Sequence, residues 1–221
     1  QTLVADGAGC CGAVRAHLGD ADGGLPEMRR NIDAWWPLVE GLTSQGRVEA
    51  IVINASGCGV TVKEYGRALE HDVHYAAKAA RVAALARDVS ELLPGIVPAL
   101  KKRLAARHGK RPPRLAFHAP CTLQHGMRLG GIVETHLAEL GFDVAVPATE
   151  PHLCCGSAGT YSVLQPELAY ALRDRKLRQI EPLAAATIVS ANIGCIQHLQ
   201  SGTQIAVRHW VEVVDEALAS G

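Results

Sequence analysis

The sequence carries no surplus of charge: Lys plus Arg and Asp plus Glu number 22 each, for a formal net charge of zero. Binding to nucleic acid or to an anionic membrane is carried by clustered positive charge. The balance therefore gives no electrostatic case for either partner. No apolar run approaches the ~18 residues that a membrane-spanning helix needs, and no secretory signal is visible. The expected location is the cytoplasm, at most peripheral at the inner face of the membrane. Neither a GxGxxG fingerprint nor a P-loop occurs, so no cradle for a nucleotide is present. Gly19, Gly23 and Gly24 read as ordinary turn residues. The chain also lacks an initial methionine, and Gln1 leads straight into the apolar TLVAD, as though a fold were entered partway.

What the chain does have is cysteine. Seven occur in 221 residues, at positions 10, 11, 58, 121, 154, 155 and 195. An odd count without a signal peptide argues against a secreted disulfide framework. Single cysteines are often buried thiols that pack as small hydrophobes, but these are not scattered. Cys10-Cys11-Gly12 and Cys154-Cys155-Gly156 are the same triplet.

The triplets head an internal repeat. After each comes a loop and then a helical pattern opened by Pro-Glu, at Pro26-Glu27 and Pro166-Glu167. In the first helix Met28, Ile32, Trp35 and Val39 recur at helical spacing, and Pro37 is expected to kink or shorten it. Each helix leads to a β-branched run, AIVINASGC ending at Cys58 and ATIVSANIGC ending at Cys195. Ile51-Val52-Ile53 and Thr187-Ile188-Val189 read as buried strands of a parallel sheet. The second copy also has a front half: the strand RLAFHAPC ending at Cys121, the amphipathic helix MRLGGIVETHLAELG and the strand FDVAVP. The matching front half of the first copy would lie ahead of Gln1, so the chain is expected to start inside its first repeat. Between the copies a helical region is expected over residues 61–91. Pro94, Pro98 and the basic KKRLAARHGKRPP then form a solvated connector.

These patterns predict an α/β fold of two pseudo-symmetric Rossmann-like halves with mostly parallel sheets, residues 1–110 and 111–221. Strand C-termini share one edge of such a sheet, and ligands bind in the crevice outside it. Cys121, Cys154, Cys155 and Cys195 all follow strands and are expected to meet there. Unpaired thiolates are soft ligands that select zinc, copper(I) or iron–sulfur clusters. Adjacent cysteines diverge, which suits a multinuclear cluster better than one zinc ion. A redox-active or inert thiol cluster without metal stays open. Glycine beside the cysteines allows close backbone approach and supplies N–H donors to sulfur. Cys10, Cys11 and Cys58 form a secondary set, too few to close a four-thiolate site. His118, His125, His152 and His198 lie near these cysteines. Each reads as a hydrogen-bonding neighbour that orients a loop, with no metal role.

The stretches AGCCGAV, NIDAWWPLVEG, ASGCGVTVKEYG, FHAPCTLQHG, HLCCGSAGTY, ANIGCIQHL and VRHWVEVVDEAL together resemble the cysteine-rich CCG domain. That domain is shared by iron–sulfur subunits of heterodisulfide reductase, anaerobic glycerol-3-phosphate dehydrogenase, lactate-utilisation proteins and glycolate oxidase (glycolate dehydrogenase), and the resemblance is strongest to the last. It implies an electron-transfer subunit of a complex that oxidises glycolate to glyoxylate on FAD held by a partner flavoprotein, with electrons passing toward a membrane acceptor. The implied cofactor is an iron–sulfur cluster of the 4Fe–4S type on Cys121, Cys154, Cys155 and Cys195, with zinc as the alternative. Two departures qualify this. The family's fullest ligand sets end in CxxC, whereas Ala55-Ser56-Gly57-Cys58 and Asn192-Ile193-Gly194-Cys195 keep only the second cysteine. Five-cysteine ligation, and with it a non-cubane cluster, is thereby disfavoured. The family's N-terminal ferredoxin-like region, with its CxxCxxCxxxCP runs, has no counterpart here. Oxidation of glycolate by this chain alone is not expected. The rivals are a thiol–disulfide redox enzyme, a zinc-stabilised docking module, and the same subunit type serving lactate or glycerol phosphate.

Overall fold

The computed structural model describes residues 1–44, 46–105 and 113–219. The chain divides into two compact units, Gln1–Asp88 and Val89–Gly221. The division falls ahead of the basic connector. Residues 101–105 of that connector continue a helix, and residues 106–112 lie outside the described ones.

In the first unit the elements run α1 (Ala13–His17), α2 (Ala21–Glu40), β1 (Ile51–Ile53), α3 (Ser56–Lys63), α4 (Tyr65–Ala68), α5 (Ala76–Leu85) and β2 (Ala86–Asp88). The expected helix at Pro26 starts earlier, at Ala21. The Asp20 carboxylate caps it by accepting from the Gly23 N–H at 2.9 Å. Gly23 and Gly24 are thus helical rather than turn residues. Pro37 does not end α2, which runs on to Glu40 with Met28, Ile32 and Val39 buried against the core. The single helical region expected over 61–91 is broken. Asp72 accepts from the N–H groups of His74 and Tyr75 at 3.0 and 3.1 Å and pins a turn between α4 and α5. Within that region Ala86–Asp88 form β2, which pairs parallel with β1. Ala-Arg-Asp carries no β-branched residue, so nothing in its composition signals a strand.

In the second unit a 3₁₀ turn (Val89–Leu92) precedes α6 (Leu93–Ala105) and β3 (Leu115–His118). A single π turn (Thr122–Gly126) then leads to α7 (Ile132–Glu139) and β4 (Val144–Ala145). The rest is α8 (Tyr161–Leu164), α9 (Pro166–Ile180), a 3₁₀ turn (Glu181–Leu183), β5 (Thr187–Ser190), α10 (Ile193–Gln200), β6 (Ala206–His209) and α11 (Trp210–Ala219). Pro94 sits in the first turn of α6, where its missing N–H costs nothing, and Pro98 is carried inside because Leu93 and Val97 anchor the helix in the core. The helix expected from Met127 begins only at Ile132, after Gly130-Gly131.

All strand pairings are parallel, in the order β4-β3-β5-β6. Leu115, Phe117 and Val189 point to one face, covered by α6, α7 and α11. Ala116, Ile188 and Val207 point to the other, covered by α9 and α10. The sheet is therefore doubly wound. From β3 the chain steps outward to β4, then crosses back to β5 and β6. The switch point lies between β3 and β5, where the C-terminal edge opens a crevice.

The two triplets are built alike. Gly12 and Gly156 have φ of +88° and +90°, the left-handed region that glycine enters freely. Each also abuts the following helix. A Cβ on Gly12 would stand 2.9 Å from the Gly24 carbonyl oxygen, and one on Gly156 would collide with the Ala169 carbonyl oxygen. Gly19, at φ +83°, has nothing within 4 Å of such a Cβ. Gly156→Ala is expected to destabilise the protein by about 2 kcal/mol or more, strain and clash together, against about 1 kcal/mol for Gly19→Ala. Urea denaturation followed by circular dichroism measures both. Equal losses would show that the contact with α9 does not matter.

Candidate metal centre

Strands β3, β4 and β5 each deliver cysteine to the crevice. Cys121 caps the π turn just past β3. Cys154 and Cys155 lie in the loop after β4, and Cys195 sits in the first turn of α10 just past β5. All seven cysteines are free thiols. Those four meet in an arc: Cys121 contacts Cys154, Cys154 contacts Cys155, Cys155 contacts Cys195, and Cys195 contacts His118. A ring nitrogen of His118 and the Sγ atoms of Cys155 and Cys195 lie within 4.8 Å of one another, all three buried.

The backbone explains why the triplet needs its glycine. With Gly156 at positive φ, its N–H donates to Cys154 Sγ at 3.3 Å, and the Ser157 N–H donates to Cys155. Successive N–H groups in such a turn form a concave nest for negative charge. In the first unit the Gly12 and Ala13 N–H groups serve Cys10 and Cys11 in the same way. The Asn192 amide adds a contact to Cys195 Sγ at 3.7 Å.

Proton affinities alternate along the arc. Cys154 is held far below the usual thiol range, first by the Cys121 thiol and then by the Cys155 thiol and the Gly156 N–H. Cys195 is also lowered, first by the Cys155 thiol and further by His118 and Asn192. Cys121 and Cys155 are pushed up, because each thiol donates a hydrogen bond to a neighbouring thiolate and burial adds to the effect. Cys154 and Cys195 thus favour the thiolate that a thiophilic metal requires, and metal binding would release the protons held by Cys121 and Cys155.

Two buried polar side chains bind backbone at or shortly ahead of the triplets. In the first unit the Asn31 carbonyl accepts from the Gly9 N–H at 2.7 Å, and its amide donates to the Cys10 carbonyl at 2.8 Å and to Tyr65 Oη at 3.1 Å. Tyr65 in turn donates to the Cys11 carbonyl at 3.0 Å. In the second unit Lys176, 1% exposed, donates to the carbonyls of Glu150 and Pro151 at 3.0 and 3.2 Å. Burial lowers its proton affinity, while negative charge on Cys121, Cys155, Glu150 and Cys154 opposes that. Counted from the residue that each triplet glycine abuts, Gly24 or Ala169, Asn31 and Lys176 occupy the same place two turns along the helix.

The secondary set is thinner. Cys58 lies in the first turn of α3 and hydrogen-bonds Cys11, whose thiol is pulled down to about 6 while that of Cys58 rises. Cys10 is exposed. Among the described residues no second group of three donors lies as close as His118, Cys155 and Cys195.

The chain matches the family described as the cysteine-rich domain, CCG, over residues 2–63 and 115–200. It belongs to that family. The glycolate oxidase iron–sulfur subunit of Escherichia coli is 50% identical over 99% of this chain. A probable glycolate oxidase iron–sulfur subunit of Bacillus subtilis is 27% identical over 88% of it. Lactate utilization protein A of Geobacillus thermodenitrificans is 28% identical over 93%. The chain spans 51% and 41% of the length of the first two relatives.

The family motif explains the cysteines but not every neighbour. Of the histidines, His198 behaves as expected, its Nε2 lying 3.1 Å from the Ala169 carbonyl oxygen, and His125 and His152 are exposed. His118 is 2% exposed, its ring nitrogens are inaccessible to solvent, and its polar neighbour is the Cys195 thiol. Asn31, Tyr65 and Lys176 also escaped sequence reasoning. Their only signal is a polar residue interrupting the apolar face of a CCG helix, as Asn31 does between Met28 and Ile32. Asn31→Ala is expected to cost about 2 kcal/mol, since it removes the hydrogen bonds to the Gly9 N–H and the Cys10 carbonyl and one partner of the buried Tyr65 hydroxyl. A denaturation midpoint unchanged within the scatter of surface substitutions would refute the clamp.

Proposed function

We propose that this CCG-family chain is part of an electron-transfer iron–sulfur subunit, and that Cys121, Cys154, Cys155 and Cys195 hold its cluster. The observation that carries this is the convergence of four free, buried or half-buried thiols from three chain segments at the switch point of a parallel sheet. When bound, the cluster supplies one-electron transfer. The protein's part is to present thiolates, direct the Gly156 and Ser157 N–H groups at sulfur, and keep water away with the apolar cluster around Cys155 and Cys195. Adjacent Cys154 and Cys155 suit a multinuclear cluster, whose metal atoms neighbouring thiolates reach separately.

The names of the relatives supply the setting. We infer that the complex oxidises glycolate to glyoxylate on FAD held by a flavoprotein partner and passes electrons through a ferredoxin-like region toward a membrane acceptor. A sibling complex acting on lactate uses the same subunit type, since substrate choice rests with the flavoprotein. No helix among the described residues is long and apolar enough to cross a membrane. A cytoplasmic protein, peripheral at the membrane, fits the role. The first unit, with Cys10, Cys11 and Cys58, serves as scaffold rather than as a second cluster site.

Anaerobic purification followed by iron and labile-sulfide analysis tests the reading. Wild-type protein and Cys58→Ser are expected to hold iron and sulfide in similar amounts, and Cys155→Ser to lose most of both. Zinc in place of iron would overturn the proposal. So would iron retained in full by Cys155→Ser. The purified chain is expected to show no turnover of glycolate with an artificial electron acceptor, and measurable turnover would contradict the assignment of the flavin to a partner.

A further inference from the structure

His118 is the last residue of β3, on the sheet face that Ala116 shares and that α9 and α10 cover. The side chain is 2% exposed. Both ring nitrogens are inaccessible to solvent, and the polar group that the ring meets is the Cys195 thiol. A buried polar atom without a partner costs about 1–3 kcal/mol, and native structures leave few of them. The Cys195 thiol can serve one ring nitrogen and not both, and an apolar residue of similar size would fill the same space without that expense.

The surroundings supply an explanation. One ring nitrogen lies within 4.8 Å of both Cys155 Sγ and Cys195 Sγ. The backbone that carries the ring is fixed as well, since Ser190 Oγ donates to the His118 carbonyl at 2.9 Å and the two residues are register partners across β3 and β5. The ring is therefore held at the switch point, aimed at the inner end of the thiol arc. Cys121 and Cys154 form the other end and are only half-buried.

We propose that His118 is a direct nitrogen ligand of the metal centre, together with Cys155 and Cys195, so that the centre has mixed thiolate and imidazole ligation. The inference rests on the cluster reading above and deepens it. Imidazole binds as a neutral group, whereas a thiolate brings a negative charge. Replacing thiolate by histidine raises the reduction potential of an iron–sulfur centre. The histidine end is the most buried part of the arc, where an added negative charge would cost most.

The chain is labelled with ¹⁵N-histidine, reconstituted anaerobically with ferrous iron and sulfide, and examined by pulsed electron paramagnetic resonance in its paramagnetic redox state. A strong ¹⁵N hyperfine coupling is expected in the wild type. His118→Cys, which puts a thiolate in place of the imidazole, is expected to keep its iron, lose the coupling and shift to a lower reduction potential. His118→Ala is expected to lose the coupling and much of the iron, with circular dichroism showing the fold intact. An iron-loaded wild type without histidine coupling overturns the ligand assignment and leaves the cluster reading standing. A coupling that persists in His118→Cys overturns it as well. Failure of the wild type to take up iron sinks both.

Discussion

The seating of the CCG loop on its helix is the contact from which the rest of the site follows. A residue at φ near +90°, pressed against a helix carbonyl with no room for a Cβ, must be glycine. That one conformation does two things at once. It brings the loop against α9, so that Cys155 enters the apolar cluster of Leu177, Ile188 and Leu199. It also turns two successive N–H groups back onto the sulfurs. Pairing two cysteines with glycine is therefore a backbone requirement before it is a chemical one. The first unit repeats the device, with Gly12 on Gly24, although its donors are fewer.

The units diverge in what stands behind the loop. Asn31 and Lys176 occupy the same helical place, yet one carries an amide and the other a buried amino group whose pKa burial lowers. A buried charge is costly unless something of opposite sign compensates it. In the second unit the compensation is at hand, because carbonyl oxygens bind Lys176 and negative charge on Cys121, Cys155 and Cys154 favours its protonated form. The first unit has a single lowered thiol, Cys11, and a neutral amide suffices. The difference between these two side chains thus follows the difference in the number of thiolates each must face.

Much of this was legible in the sequence. The repeat, the parallel strands at Ile51 and Thr187 and the delivery of cysteine to one sheet edge all follow from periodicity and from the geometry of open α/β sheets. Short elements were harder. β2 is Ala-Arg-Asp and β6 is Ala-Val-Arg-His, segments without an apolar run that become strands only because a neighbour pairs with them. α2 begins at Ala21 because Asp20 caps it, and the glycines behind the cap disguised the start. The surroundings of His118 were illegible for a different reason. A histidine at the end of LAFH looks the same in sequence whether it orients a loop or faces sulfur, and only the fold shows its ring buried beside Cys155 and Cys195.

The central claim is that the strand-edge arc of the second unit is a polynuclear iron–sulfur site and not a thiol store or a zinc knot. Iron K-edge X-ray absorption on the anaerobically reconstituted chain tests it most directly. The account predicts a first shell dominated by sulfur and a second shell of iron neighbours, both abolished by Cys154→Ser. A first shell without iron neighbours, or a spectrum unchanged by that substitution, would contradict it.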